Sequence, residues 1–152
     1  MQSLDISASP RPLGASGLSC FPISYGCWRF AGTSVADARA KIDAALEVGI
    51  DLFDHADIYG FNGTDGFGDA EVLFGRALAE APQLRERMII ASKGGITPPV
   101  PYNSSPAWLR QACEDSLRRL GIDCIDVYQI HRPDFLAHPD SVTARLEEAH
   151  VV

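Results

Sequence analysis

The sequence predicts an α/β fold in which parallel strands are joined by helices. Three observations carry that prediction. Short apolar runs alternate four times with stretches of helical periodicity, capping or stopping residues bracket the helical stretches, and 152 residues suit one domain. Each crossover returns the chain to the same end of the sheet, so the strands are parallel. The pattern leaves a doubly wound sheet and a (β/α)8 barrel both open. No GxGxxG follows the first strand, which counts against a dinucleotide-binding Rossmann unit.

The elements follow in order. Residues 1–12 lack a pattern and are expected to be flexible. The turn Gly14-Ala15-Ser16-Gly17 suggests a hairpin leading into a strand over 21–27. Ser34 and Asp37 form a capping box for a helix that buries Val35, Ala38, Ile42, Ala45 and Leu46, with Gly49 at its end. A strand over 50–54 precedes a glycine-rich loop. Asp69 then caps a helix with the stripe Ala70, Leu73, Phe74, Ala77, Leu78 and Ala81, which Pro82 stops. The third strand covers 88–92. Beyond Pro98, Pro99 and Pro101, the pair Ser105-Pro106 starts a helix burying Leu109, Ala112, Cys113, Leu117 and Leu120, and Gly121 closes it. A fourth strand spans 125–130, and Asp140 caps a fourth helix using Val142, Leu146 and Ala149.

Composition narrows the function. Thirteen basic residues face 20 acidic ones, a net charge of -7, with Lys41 and Lys93 the two lysines; this disfavours nucleic-acid binding. No run approaches the ~18 apolar residues of a membrane helix, and the first 13 residues do not read as a secretory leader. The expectation is a cytoplasmic protein with no membrane partner. Cys20, Cys27, Cys113 and Cys124 show no metal-ligand spacing, so no metal is implied and they read as reduced, small core residues.

In parallel α/β folds chemistry collects at the carboxyl ends of strands. There the sequence places Asp54, His55, Asp57 and Tyr59, then Lys93, then His131, Arg132 and Asp134. Asp54, Lys93 and His131 are 39 and 38 residues apart, about one βα unit each, so they can share one rim. Asp, Tyr, Lys and His make a coherent acid–base set. A phenol, with an ordinary pKa near ~10, is a poor proton donor unless a nearby ammonium favours its anion. A carboxylate keeps that ammonium charged, and a neutral imidazole can hydrogen-bond a carbonyl oxygen. Plainer readings exist for each residue: a capping aspartate, an aromatic before a turn, a solvated lysine, a structural histidine. His55 can point away from the rim, and Arg132 with Asp134 reads as a local ion pair. The loop 60–68 and Lys93-Gly94-Gly95 both lack the phosphate-loop pattern; the former reads as a flexible connection.

FDHADIYG (53–60), IIASKGG (89–95) and YQIHRPD (128–134), with GCWRF (26–30) and LRERM (84–88), resemble the aldo-keto reductases, in particular a bacterial branch of that family. The resemblance runs from about Arg11 to the end of the chain. It implies parallel (β/α) units forming the N-terminal half of a (β/α)8 TIM barrel. It implies an oxidoreductase that reduces aldehyde or ketone carbonyls of a small molecule with NAD(P)H, NADPH more than NADH. Matched motif by motif, Asp54 is the carboxylate, Tyr59 the proton donor, Lys93 the lysine that acidifies the phenol, and His131 the residue that orients the carbonyl. Gly26, Cys27 and Trp28 match the segment bordering the cofactor.

The departure from the family is length. A (β/α)8 barrel takes about 250 residues, and the family holds most of its cofactor with later strands. The expectation is a single partial domain, 1–152, with the C-terminal half of the barrel absent and open sheet edges that promote self-association. Two other functions stay open: an inactive fragment, or a cofactor-sensing regulatory subunit such as those some relatives supply to potassium channels.

Overall fold

The structure is a computed structural model and describes residues 8–99 and 101–138. A two-stranded antiparallel hairpin, β1 (Arg11–Pro12) and β2 (Ser19–Cys20), comes first, so Arg11 and Pro12, within the stretch 1–12 expected to be flexible, are paired in a ladder. The hairpin turn is the expected one, closed by Leu13 N–H to the Leu18 carbonyl at 2.9 Å. The main sheet has four parallel strands: β3 (Tyr25–Gly26), β4 (Leu52–Asp54), β5 (Ile89–Gly94) and β6 (Val127–Ile130). Helices α1 (Val35–Glu47), α2 (Asp69–Ala79) and α3 (Pro106–Leu120) connect them.

Strand order decides between the two architectures. The strands lie side by side as β3-β4-β5-β6, in chain order without a reversal. A doubly wound sheet reverses direction at a switch point; this one does not. The helices also share one face of the sheet, with α1 against α2 and α2 against α3. Phe53, Ile90 and the helix residues Ala38, Ile42, Phe74 and Leu120 form one buried core on that face. The alternate residues Leu52, Asp54, Lys93, Val127 and Gln129 line a cavity on the other face, with Leu13 of the hairpin. Among the described residues this is half of a singly wound barrel, with that face turned to the barrel's interior.

Local chemistry explains the elements. The Ser34 hydroxyl accepts the Asp37 amide at 3.0 Å, the expected cap of α1. Ala38, Ile42, Ala45 and Leu46 are buried, and Val35 packs at the edge of the core. The stripe expected of α2 is buried throughout, including Ala81 just past its end. Pro106 opens α3, and Gly121 ends it in the left-handed conformation at φ 66°.

Four expectations need correction. The strand expected over 21–27 is only Tyr25–Gly26: residues 21–24 lie outside it, and Cys27–Phe30 forms a 3-10 turn that ends it. Cys27 and Phe30 are both buried, and residues three apart share a face in a helical turn but not in a strand. Asp69 is the first residue of α2, not its cap; Gly68 holds that place at φ 85°, where a side chain would strike Arg119. The strand expected over 88–92 runs to Gly94, so Lys93 belongs to β5 and pairs in register with Gln129. Cys27 and Cys113 are core residues, whereas Cys20 and Cys124 are half-buried; all four are free thiols. The expected fourth helix and residues 1–7 lie outside the described residues.

Gly75 sets the spacing between α2 and α3. A Cβ there would strike the Arg119 and Leu120 carbonyl oxygens. We expect Gly75→Val to destabilise the chain by about 1–3 kcal/mol through overpacking, read as a lower urea midpoint. Thiol labelling in the native state should modify Cys20 and Cys124 first. Cys27 and Cys113, whose thiols burial pushes above their ordinary range, should react only on unfolding.

Candidate active site

The register of β4 and β5 puts two charges together. Asp54 pairs with Ala91, so its side chain shares the inner face with Ala91 and, two residues on, Lys93. The Lys93 ammonium donates to Asp54 Oδ1 at 2.8 Å and to the His55 carbonyl at 2.5 Å. Both side chains are largely withdrawn from water, at 14% exposure for Lys93 and 31% for Asp54. Backbone bonds tie the same segments: His55 N–H to the Ala91 carbonyl at 2.8 Å and Asp57 N–H to the Lys93 carbonyl at 2.9 Å.

The loop after β4 then folds Tyr59 back over this pair. Lys93 Nζ lies 4.9 Å from the centre of the Tyr59 ring. The His131 ring, which follows β6, meets the Tyr59 ring edge-on at 5.7 Å between centroids. His131 N–H bonds the Gly94 carbonyl at 2.9 Å, so the β5–β6 ladder fixes its place. Burial, with the charges of Lys93 and Arg132, holds the His131 imidazole below its usual pKa, so it stands neutral at neutral pH. Asp54, Tyr59, Lys93 and His131, drawn from three successive βα junctions, therefore converge on one rim.

The segment after β3 reaches the same rim. Trp28 is 65% exposed and stacks on Tyr59 at 6.1 Å and 21°. Gly26 is exposed as well. Cys27 is wholly buried with its thiol on the Tyr25 carbonyl at 3.5 Å, so it offers this rim no side-chain surface.

Other strand-end residues face elsewhere. His55 is fully buried against Phe74 at 4.5 Å and Phe30 at 6.3 Å, and burial lowers its pKa to about 3. Asp57 is also buried, on the helix side; desolvation and the charge of Glu71 raise its pKa to about 7. Asp134 does not pair with Arg132 as expected. Its oxygens accept the amides of Ser104 at 3.3 Å and Leu136 at 3.0 Å, which bind the loop after β6 to the loop before α3. The loop 60–68, expected to be flexible, is internally bonded: Asn62 Oδ1 takes the Thr64 and Asp65 amides at 2.9 and 3.0 Å.

Sequence reading missed one buried polar network. Glu71, with no exposure, accepts from the Ser92 hydroxyl at 2.6 Å and from Arg119 Nε at 2.7 Å. Arg119 also donates to the Ser116 hydroxyl at 3.1 Å. The available signal was a carboxylate one turn before Phe74 on the apolar arc of α2. No group of three potential metal ligands occurs among the described residues. No helix among them is long and apolar enough to cross a membrane.

Comparison with known proteins agrees with this arrangement. The model of the Aldo/keto reductase family matches residues 22–151. The chain belongs to the aldo/keto reductase family. It is 54% identical over 151 residues to a 6-dehydroglucose reductase of Novosphingobium aromaticivorans, covering 98% of this chain and 50% of that protein. It is 37% identical over 137 residues to a 6-dehydroglucose reductase of Agrobacterium fabrum, covering 82% and 44%. Among solved structures, the holo form of aldo-keto reductase AKR11C1 from Bacillus halodurans superposes with a TM-score of 0.77 at 33% identity, over 93% of this chain and 46% of that one. The chain thus spans about half the length of these relatives, and its fold is part of an aldo-keto reductase TIM barrel.

His55 and Asp57 give the loop a testable pH signature. The unfolded imidazole protonates below about pH 6.5 while the folded one stays neutral, so His55 makes stability fall as pH drops from 6.5 towards 3. Asp57 acts oppositely. Its folded carboxyl keeps a proton that the unfolded one releases near pH 4, so its contribution is lost as pH rises towards 7. We expect Asp57→Asn to gain stability relative to the parent as pH rises from 4.5 to 6.5. Urea midpoints for both proteins across that range check the sign.

Proposed function

We propose that this chain supplies the proton-transfer half of an NADPH-dependent carbonyl reductase site. The observation that carries the reading is Lys93, held by Asp54 and lying 4.9 Å from the centre of the Tyr59 ring, with His131 against the same ring. The residues fit the nicotinamide end of such a cofactor. An exposed indole face at Trp28 and the exposed Gly26 flank an acid–base set on the barrel's inner rim. When bound, the cofactor supplies a hydride to the carbonyl carbon.

The chain's own residues handle the oxygen. As that oxygen gains negative charge, the Tyr59 hydroxyl gives it a proton, and the product is an alcohol. The Lys93 ammonium, fixed by Asp54, stabilises the phenolate left behind. Neutral His131 donates a hydrogen bond to the same oxygen and orients the carbonyl. In the oxidative direction the phenolate takes the proton back. The two 6-dehydroglucose reductases among the relatives support a sugar-derived aldehyde as the first substrate to try. The inward placement of the site suits a small-molecule substrate, and the cytoplasm is the compartment we propose for it.

A second reading concerns the chain on its own. The inner face, including Leu52 and Val127, is only partly covered in this structure, and β3 and β6 have one unpaired edge each among the described residues. Such edges recruit another chain. We expect concentration-dependent self-association in sedimentation velocity; a single monomeric boundary at all concentrations would contradict it.

The test of function is complementation. Mixed with the C-terminal half of the Novosphingobium relative, the chain should consume NADPH in the presence of 6-dehydroglucose, and show no turnover alone. Tyr59→Phe should cut the complemented rate at least ~100-fold, the scale of general acid catalysis, while nucleotide binding persists. Turnover that survives Tyr59→Phe would overturn the assignment.

A further inference from the structure

The loops that carry Tyr59 and Lys93 have a second side, away from the barrel interior. There a cavity of about 570 Å³ opens between the loop after β4, the loop after β5 and helix α3. Its size falls within the roughly 300–1,000 Å³ typical of small-molecule sites. The wall is largely aromatic and proline surface from Phe61, Phe67, Pro98 and Trp108. Asp57 and Thr97 also line it, and both are more than nine-tenths buried.

Polar atoms without partners gather at this wall. The Thr97 hydroxyl and the Trp108 indole nitrogen are buried with no hydrogen-bond partner in the protein, and the buried Asp57 carboxyl has only a weak contact from the backbone amide of its neighbour Ile58. Buried donors and acceptors are costly when unpaired. A donor, an acceptor and a carboxyl collected on one apolar cavity make the pattern of a ligand site, with a wide apolar body and a small polar end.

The charges around the cavity select the ligand. Glu71 raises the electrostatic cost of an anion beside Asp57. Arg119 lies on the wall with its guanidinium 5.9 Å from the Phe67 ring centre, so a positive charge already occupies that aromatic face. Asp115, also on the wall, is paired with Arg118, and Arg119 is paired with Glu71, so these flanking charges are already matched and a neutral ligand suits the wall. A hydroxyl fits its polar end, since it can donate to a carboxylate and accept from an indole N–H.

We propose that this outer cavity binds a neutral hydroxylated aromatic molecule, its ring against Phe61 and Trp108 and its hydroxyl between Asp57 and the Trp108 indole N–H. The site is separate from the Tyr59 rim and independent of the reaction proposed there. Its walls are nonetheless the outer faces of the two loops that hold Tyr59 and Lys93.

The chain contains two tryptophans, Trp28 at the catalytic rim and Trp108 at the cavity, so an amide nitrogen–proton spectrum carries one indole signal for each place. Phenol is the probe, and toluene the ring without the hydroxyl. The expected result is a saturable shift of the Trp108 indole signal with phenol, an unmoved Trp28 signal, and at least tenfold weaker binding of toluene. Asp57→Leu should reduce phenol to the affinity of toluene. A Trp108 signal that does not move, a Trp28 signal that moves with the same midpoint, or equal affinity for the two probes would overturn the proposal. So would undiminished phenol binding by the Asp57→Leu chain.

Discussion

The contact between the Lys93 ammonium and the Asp54 carboxylate is the constraint on which the rest of the rim depends. A lysine with 14% exposure has lost most of its water, and only close partners can replace it. Asp54 supplies one, at 2.8 Å, and the His55 carbonyl supplies another, at 2.5 Å. The second is available because His55 turns its ring into the aromatic core between Phe30 and Phe74. Burial of that imidazole on the helix side thus aims its carbonyl at the ammonium on the inner side. Core packing and the geometry of the rim meet in one residue, whose side chain lies in the core.

How much of this the sequence disclosed follows from what each signal measures. Helical periodicity reports which face is buried, and the stripe of α2 from Ala70 to Ala81 was legible for that reason. Capping chemistry is local, so Ser34 and the Ser105-Pro106 start could be read directly. The misses are tertiary. Gly68 caps α2 in the left-handed conformation at φ 85°, beside the side chain of Arg119, 51 residues later. Asp134 holds Ser104, rather than its neighbour Arg132, because two loops meet. The 3-10 turn at Cys27–Phe30 exists because both residues enter the same core, and no local propensity announces that.

The candidate site was legible in part for the same reason. Spacings of one βα unit between Asp54, Lys93 and His131 place three residues on one rim once the strands are parallel and in order. That arithmetic cannot say which way a loop residue points. Tyr59 turns over Lys93, whereas Asp57, two residues earlier, turns outward to the Glu71 side. A loop with both kinds of residue has a chemical inner face and a recognition-capable outer one. The outer face is lined by Phe61, Phe67, Trp108, Asp57 and Thr97.

The convergence of Lys93 and Tyr59 can be observed without turnover. Lys41 and Lys93 are the two lysines in the sequence, so carbon-13 labelling of lysine side chains gives two ε-methylene signals. With its ammonium 4.9 Å from the Tyr59 ring centre, Lys93 should show through-space cross-peaks to the ring protons and a ring-current shift that Tyr59→Leu abolishes. A Lys93 signal at the position of a free lysine, with no contact to an aromatic ring, would contradict the account at its base.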